Sequence, residues 1–447
     1  LEDFFVAQQQ LQRTLSLQDG IGLAIGSIAG SGILYLPSLT YVLAGHDVLL
    51  VWLGGTLLCI PMLFMFTNMI RLISDGKGIE GFIARGLGEH IASTVPVLFL
   101  SVVVLGIPSG VLVAGEYLRT ALGGGWLTQF IGAFIILVIT IITNLVGATI
   151  GARLQRWITW ALIIIIVMLC TISYTHRHNN YTAVTPVFHA PGPILSGIVV
   201  AFWAYAGFEN LTFIAGEFRH PQRDFPIVMI IAFLIYGGLA IALTIIIAAL
   251  IPYNQVNSLS GLLQLAKLIS PTWLTMGIIV VFAFMIMQLS ATSWLWGMSR
   301  LIYNSATKGQ LPGWFAHLNH RGLPIRAIIF LSIFFIVITA ITLIFPDLLV
   351  TALTIASSVF LFLYVLCLLS YLRRERGIGK RIFYGVLLIF LITTLASVGL
   401  KILYPCTFFL VALLVSIIRE KRQIANRQKA LPKQQEQEEY DISASDY

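Results

Sequence analysis

Two acidic residues, Glu116 and Glu209, stand well inside long apolar runs of this chain. An ionisable group at membrane depth costs at least a few kcal/mol, so it serves a function or is neutralised by a partner. Glu116 has Arg119 three residues on, and an ion pair along one helix face is its expected state. Glu209 has no such neighbour and follows Gly207 and Phe208, where glycine weakens the helix. It can therefore meet freed backbone groups or a bound molecule. Removal from water favours the protonated carboxyl, so Glu209 is expected to take up a proton near neutral pH.

A second constellation carries no charge. Gly30-Ser31-Gly32 interrupts the apolar run 18–45, and each glycine costs a helix roughly 1 kcal/mol against alanine. A broken helix at the membrane midplane exposes N–H groups at the start of one half and C=O groups at the end of the other. The first attract a carboxylate and the second an ammonium. Such a site suits the two charged groups of an α-amino acid, and Ser31 adds a hydroxyl donor. Spacing also allows a plainer reading, because Gly22, Gly26 and Gly30 recur every four residues, as in close helix packing. That explains Gly22 and Gly26 without requiring Ser31 and Gly32.

The elements that must hold these residues follow from composition. Of 447 residues, 58% are hydrophobic and 10% charged, against about 25% charged in a soluble domain. Apolar runs of about 20 residues recur, so helices rather than a barrel span the membrane. Twelve spans are expected: 18–45, 48–71, 92–121, 127–147, 154–175, 193–216, 226–251, 272–303, 326–345, 347–371, 382–400 and 403–418. No basic-then-apolar leader is expected ahead of the first, and no soluble domain fits between them. With the N-terminus inside, 23 of the 27 Lys and Arg residues fall on the inner side; Arg119, Arg177, Lys267 and Lys401 fall outside. This positive-inside bias places both termini in the cytoplasm. The net charge of +8 therefore sets topology and touches lipid headgroups, and nucleic acid is not an expected partner.

Cys59, Cys170, Cys367 and Cys406 lie in spans without metal-ligand spacing, so apolar packing is expected for them. His176, His178 and His189 share an outer loop, 176–192, but lack supporting ligands, and no metal site is expected. No histidine–acid or cysteine–histidine pair lies inside the spans. No catalytic residues are expected, and the chain is not read as an enzyme. Residues 72–91 form a glycine-rich amphipathic segment at the inner surface, and the tail 419–447 reads as disordered.

Span 6 has its own irregular centre at "FWAYAGFEN" (202–210), five spans after the first break. A five-span unit reverses orientation when repeated, so spans 1–5 (18–176) and 6–10 (193–372) read as inverted copies. The cytoplasmic N-terminus (1–17) precedes them, and spans 11 and 12 (382–418) follow. Paired interruptions at matching places in two halves point to a transporter binding site.

These residues resemble the amino acid–polyamine–organocation (APC) transporters, which have the LeuT-like fold. The matching stretches are "GSGILYLP" (30–37), "FWAYAGFEN" (202–210), "AGEFRHPQRDFP" (215–226) and "NSATKGQLPGWFAHLNHRGLP" (304–324). Within the family the chain is most similar to bacterial exporters of methionine and branched-chain amino acids. The resemblance implies an all-α inner-membrane protein of 12 helices, a 5+5 inverted repeat with discontinuous helices 1 and 6, and a small amino acid as partner. It implies a substrate site of Ile28, Ala29, Gly30, Ser31, Gly32 and Ile33 on the first break. Phe202, Trp203, Ala204, Gly207 and Phe208 complete it on the second, with Glu209 and Trp294 as gate or proton-sensing residues.

Some proton-coupled members carry a lysine in span 5 where this chain has Ala161-Leu162, which speaks against lysine-based coupling. An asparagine of the antiporter branch falls near Ile107-Pro108, so a neutral, apolar substrate is expected. No cofactor is implied. A proton is the favoured coupling ion; sodium is the alternative, through Ser290, Thr292 and Ser293. Alternating access with export is the expected activity, and an amino-acid sensor on the same fold is the alternative. Oligomeric state has no signal in the sequence.

Overall fold

The computed structural model describes residues 16–28, 30, 32–72, 78–147, 152–175, 185, 188–207 and 218–421. Every element among them is helical. In chain order the helices of more than four residues are α1 (Leu17–Ile28), α2 (Gly32–Ala44), α3 (Val48–Leu72), α4 (Gly78–Leu87) and α5 (Val95–Leu122). Then follow α6 (Trp126–Val146), α7 (Ala152–Thr175), α8 (Pro191–Phe202), α9 (Pro221–Leu250) and α10 (Gly261–Ile269). The last are α11 (Trp273–Thr307), α12 (Ile325–Ile344), α13 (Asp347–Arg374), α14 (Ile378–Ala396) and α15 (403–421).

Ten helical stretches among the described residues are long and apolar enough to cross a membrane, which makes this an all-helical multi-pass membrane protein. The difference from twelve has two local causes. Of the ten, Gly32–Phe66 holds two helices: the turn Gly45–Asp47, with Gly45 at φ +57°, divides α2 from α3 at the boundary expected between the first two spans. The expected span 193–216 is represented by α8, only 12 residues long, about 18 Å against a hydrocarbon core of about 30 Å. Residues 208–217, which would extend it, lie outside the described residues. So do the histidine-bearing positions 176 and 178 and the tail beyond residue 421.

The helices sort by packing into two groups. In one, α9 packs on α1, α2 and α3, and α8 packs on α2 and α3. In the other, α5, α6, α11 and α12 all pack on one another. Helix α13 joins them, touching α5 and α8. Burial follows this arrangement: 78% of the apolar core of the α5 and α13 stretches is buried, against 11% for the stretch containing α15. A helix apolar all round is either interior or lipid-facing, and only the packing separates the two cases here.

Polar side chains tie the groups together. Tyr117 of α5 donates its hydroxyl to Leu34 O of α2 at 2.6 Å, and Thr159 of α7 donates to Gly22 O at 3.2 Å. Gly22 lies against Arg156, and a Cβ there would stand 3.1 Å from Arg156 Cβ. Close packing therefore accounts for this glycine. Buried Asp47 joins α2 to the entry of α8 by accepting from His189 N at 3.1 Å, with His189 Nδ1 2.8 Å from its other oxygen.

Candidate functional site

Helix α1 stops at Ile28 and α2 starts at Gly32, with Gly30 in a turn between them. A helix start leaves its first N–H groups without intrahelical acceptors, and a helix end does the same to its C=O groups. Helix α8 ends at Phe202, and the chain tightens into a succession of turns. Trp203 N donates to Val200 O at 3.1 Å, Ala204 N to Ala201 O at 2.9 Å and Tyr205 N to Phe202 O at 2.9 Å. Gly207 closes the turns at φ +118°, a conformation that favours glycine.

Between the two helix groups lies a cavity that leaves about 20 Å³ for the centres of water molecules. That is room for about one water, so the site is nearly closed in this conformation. Ile28, Gly30, Trp203 and Ala206 reach it from one side; Gly106, Ile107, Met287, Ser290 and Trp294 reach it from the other, with Phe360 of α13. No charged side chain among the described residues lines it. The aromatic wall centres on Phe360, whose ring centroid lies 5.5 Å from that of Trp203 and 6.2 Å from that of Trp294.

Glycines let these parts close on one another. A Cβ on Gly106 would stand 2.5 Å from Trp203 Cη2, so the bare backbone of α5 receives the far edge of the indole. A Cβ on Gly30 would collide with Ser290 Oγ. At Gly32 it would lie 2.8 Å from Tyr236 Oη and 3.4 Å from Trp203 Cδ1. Tyr236 is fully buried, and its hydroxyl has no hydrogen-bond partner among the described residues. The first break is thus flanked by two hydroxyls, Ser290 and Tyr236, on different helices.

The expected site residues divide accordingly. Ile28, Gly30, Trp203 and Trp294 line the cavity. Gly32 adjoins the near edge of Trp203, while Ile33 and Ala204 are buried in the surrounding packing. Phe202 points elsewhere: it meets Tyr364 at 5.0 Å and lines a separate small void with Met62 and Leu63. Successive helical residues diverge by about 100°, so Phe202 and Trp203 cannot share a wall. Ala29, Ser31, Phe208 and Glu209 lie outside the described residues.

Of Ser290, Thr292 and Ser293 on α11, only Ser290 lies against Gly30. Thr292 is turned toward α6, where the Gln288 amide lies between it and Thr140 and Asn144 donates to Thr292 O at 3.3 Å. Ser293 is exposed. Glu116 forms the expected local pair, accepting from Arg119 Nε and Nη2 at 2.6 Å each.

Sequence reasoning missed Gly106, Met287, Phe360 and Tyr236 as neighbours of this site. Gly106 had a legible signal, since Gly106-Ile107-Pro108 puts two helix breakers inside one span. Phe360 had none, being one phenylalanine among 28.

Comparison with known proteins gives consistent results. A family model described as "Amino acid permease" matches residues 15–428. The L-methionine/branched-chain amino acid exporter YjeH of Escherichia coli (strain K12) is 25% identical over 409 residues, covering 88% of this chain and 94% of that protein. The branched-chain amino acid permease BcaP of Lactococcus lactis subsp. cremoris (strain MG1363) is 24% identical over 398 residues, covering 83% and 84%. The crystal structure of MhsT in complex with L-phenylalanine superposes with a TM-score of 0.62 at 16% identity, covering 91% of this chain and 99% of that one. The fold is therefore that of a LeuT-fold protein.

Proposed function

The chain belongs to the amino acid permease family of the APC superfamily, and from that premise we propose that it is a secondary active transporter of neutral hydrophobic amino acids. It works as an exporter or antiporter by alternating access. The observation that supports this most directly is the cavity held between two separately packed helix groups. Rocking one group against the other would open such a cavity to each side in turn. At about 20 Å³ it is too small for an amino acid, so loading requires that motion.

Its apolar and aromatic lining, without a charged side chain among the described residues, favours a neutral substrate with an apolar side chain. The printed functions of YjeH and BcaP point the same way. In this reading the twelve spans form a 5+5 inverted repeat with discontinuous helices 1 and 6. The substrate carboxylate docks on backbone N–H groups at Gly30-Ser31-Gly32, and Trp203, Phe208 and Trp294 cover its side chain. Glu209 is the proton-sensing gate, the coupling ion is a proton, and both termini face the cytoplasm of a bacterial inner membrane.

Counterflow in proteoliposomes with a panel of labelled amino acids, with and without a proton gradient, tests the proposal. Methionine, leucine, isoleucine and valine should exchange, lysine and glutamate should not, and the gradient should drive net flux. Specific binding without flux would replace transport by sensing. For the proton role, unchanged pH dependence in Glu209→Gln would remove Glu209 from it.

A further inference from the structure

A larger cavity, of about 440 Å³, lies at the end of the bundle away from the basic loops. That volume falls in the range of small-molecule pockets. Helices α5, α6, α12 and α13 and the loop 256–259 wall it. Among the described residues none of α2 or α8 reaches it, so it is separate from the site built on the two breaks.

Its charged side chains among the described residues are Glu116 and Arg119. Glu116 is saturated. Besides the two bonds from Arg119, Thr120 Oγ1 lies 3.3 Å and Asn257 Nδ2 3.4 Å from its Oε1, and the residue is 3% exposed. Arg119 is not saturated. The pair uses Nε and one N–H of Nη2, which leaves the edge formed by Nη1 and Nη2 without an acceptor on a side chain 40% exposed. Such an edge takes a carboxylate bidentately.

The complementary acceptors come from α12, which packs on α5. Thr342 lines the cavity and is 4% exposed, yet its hydroxyl makes no hydrogen bond among the described residues. Pro346 has no N–H, so the Thr342 carbonyl lacks the donor one helical turn on. Both oxygens stand at the C-terminal, negative end of α12, where a cation is favoured. Leu112, Val256 and Leu349 supply apolar wall.

We propose that this cavity binds one small amino acid as a zwitterion. Its carboxylate lies on the open edge of Arg119, its ammonium on the hydroxyl and carbonyl of Thr342, and an aliphatic side chain against Leu112, Val256 and Leu349. Glu116 cancels the charge of Arg119, so the wall is neutral overall and favours a ligand whose own charges cancel. A plain carboxylate would leave the oxygens of Thr342 unmade, and a plain amine would leave Arg119 so. The site goes beyond the transport reading and does not rest on it, because its walls exclude the two breaks.

The test is equilibrium binding of labelled leucine to the purified full chain in detergent. Val256→Trp, which fills the cavity from a loop, should bind one leucine fewer than the unaltered protein. Thr342→Val and Arg119→Lys should each weaken that component roughly tenfold, the value of about one charge-assisted hydrogen bond. Isocaproate, which lacks the ammonium, and isoamylamine, which lacks the carboxylate, should each compete for it at least tenfold more weakly than leucine. Equal stoichiometry in Val256→Trp and the unaltered protein, or competition by isocaproate or isoamylamine equal to that of leucine, would overturn the proposal. Flux in proteoliposomes is a separate readout: absent flux with the Val256-dependent leucine still bound would end the transport reading and uphold this site. Should Val256→Trp fail to fold, Thr342→Val and Arg119→Lys decide, and an unchanged isotherm in both would overturn the site.

Discussion

The indole of Trp203 fits against Gly106, so closely that a methyl group there would lie 2.5 Å from Cη2. The contact joins the turn after α8 to the middle of α5 beside the cavity between the two helix groups. Gly106→Ala must therefore displace the ring toward the cavity. Overpacking of this kind costs about 1–3 kcal/mol, and the space lost comes from the substrate side chain. Counterflow by Gly106→Ala should fall more for methionine than for alanine. Equal loss for both would mean that Trp203 does not bound the side-chain space.

Gly30 and Ser290 give a paired prediction. Gly30→Ala places a methyl on Ser290 Oγ and should reduce transport at least tenfold. Removing that oxygen with Ser290→Ala should restore part of the loss in the double variant. Two substitutions sharing one contact are non-additive, and counterflow rates of the four proteins measure the coupling. Additive losses would separate Gly30 from Ser290.

Glu116 is buried and bonded to Arg119, with Asn257 Nδ2 3.4 Å from the same carboxylate. Glu116→Gln keeps the shape and removes the charge. It should cost about 1.5–3 kcal/mol of stability, the range for hydrogen bonds to a charged group, while the pH profile of transport stays as in the parent. Thermal unfolding in detergent and pH-dependent flux test the two halves separately, and an altered pH profile would make Glu116 a proton carrier.

Glu375 organises the turn between α13 and α14. Gly377 N donates to its Oε1 at 2.9 Å, and Tyr371 Oη to its Oε2 at 2.9 Å. Those hydrogen bonds, Gly377 first, hold the carboxyl below its ordinary value of 4.5. A depressed carboxyl contributes stability that is present above the unfolded value and lost as pH falls through the folded one. Glu375→Gln should therefore unfold at lower temperature than the parent at pH 7. The gap should shrink once the pH falls below the ordinary value of 4.5 and close as the pH passes through the lowered folded value. A gap independent of pH would mean that the charge is not what stabilises the turn.

The membrane class, the two weak points and the ion pair of Glu116 were legible in the sequence, because each rests on neighbours close along the chain. Hydrophobicity over about 20 residues defines a span, paired glycines weaken a helix wherever it packs, and Arg119 lies one turn from Glu116. The boundary between the first two spans, expected at 45 and 48, falls where α2 ends at Ala44 and α3 starts at Val48. The expected span 193–216 was less legible, since α8 stops at Phe202 and gives way to turns.

What only the tertiary structure decided is which side chains meet across helices distant in sequence. Gly106, Ser290 and Phe360 converge on Gly30 and Trp203 from three different helices, and Phe202 turns away to Tyr364 although it adjoins Trp203. In a chain apolar on nearly every face, hydrophobicity cannot say which face is interior, since lipid and core attract the same residues. Van der Waals fit between backbones and rings makes that choice. The sequence determined by itself that the chain spans a membrane and where its helices yield; packing alone decided what stands around Gly30.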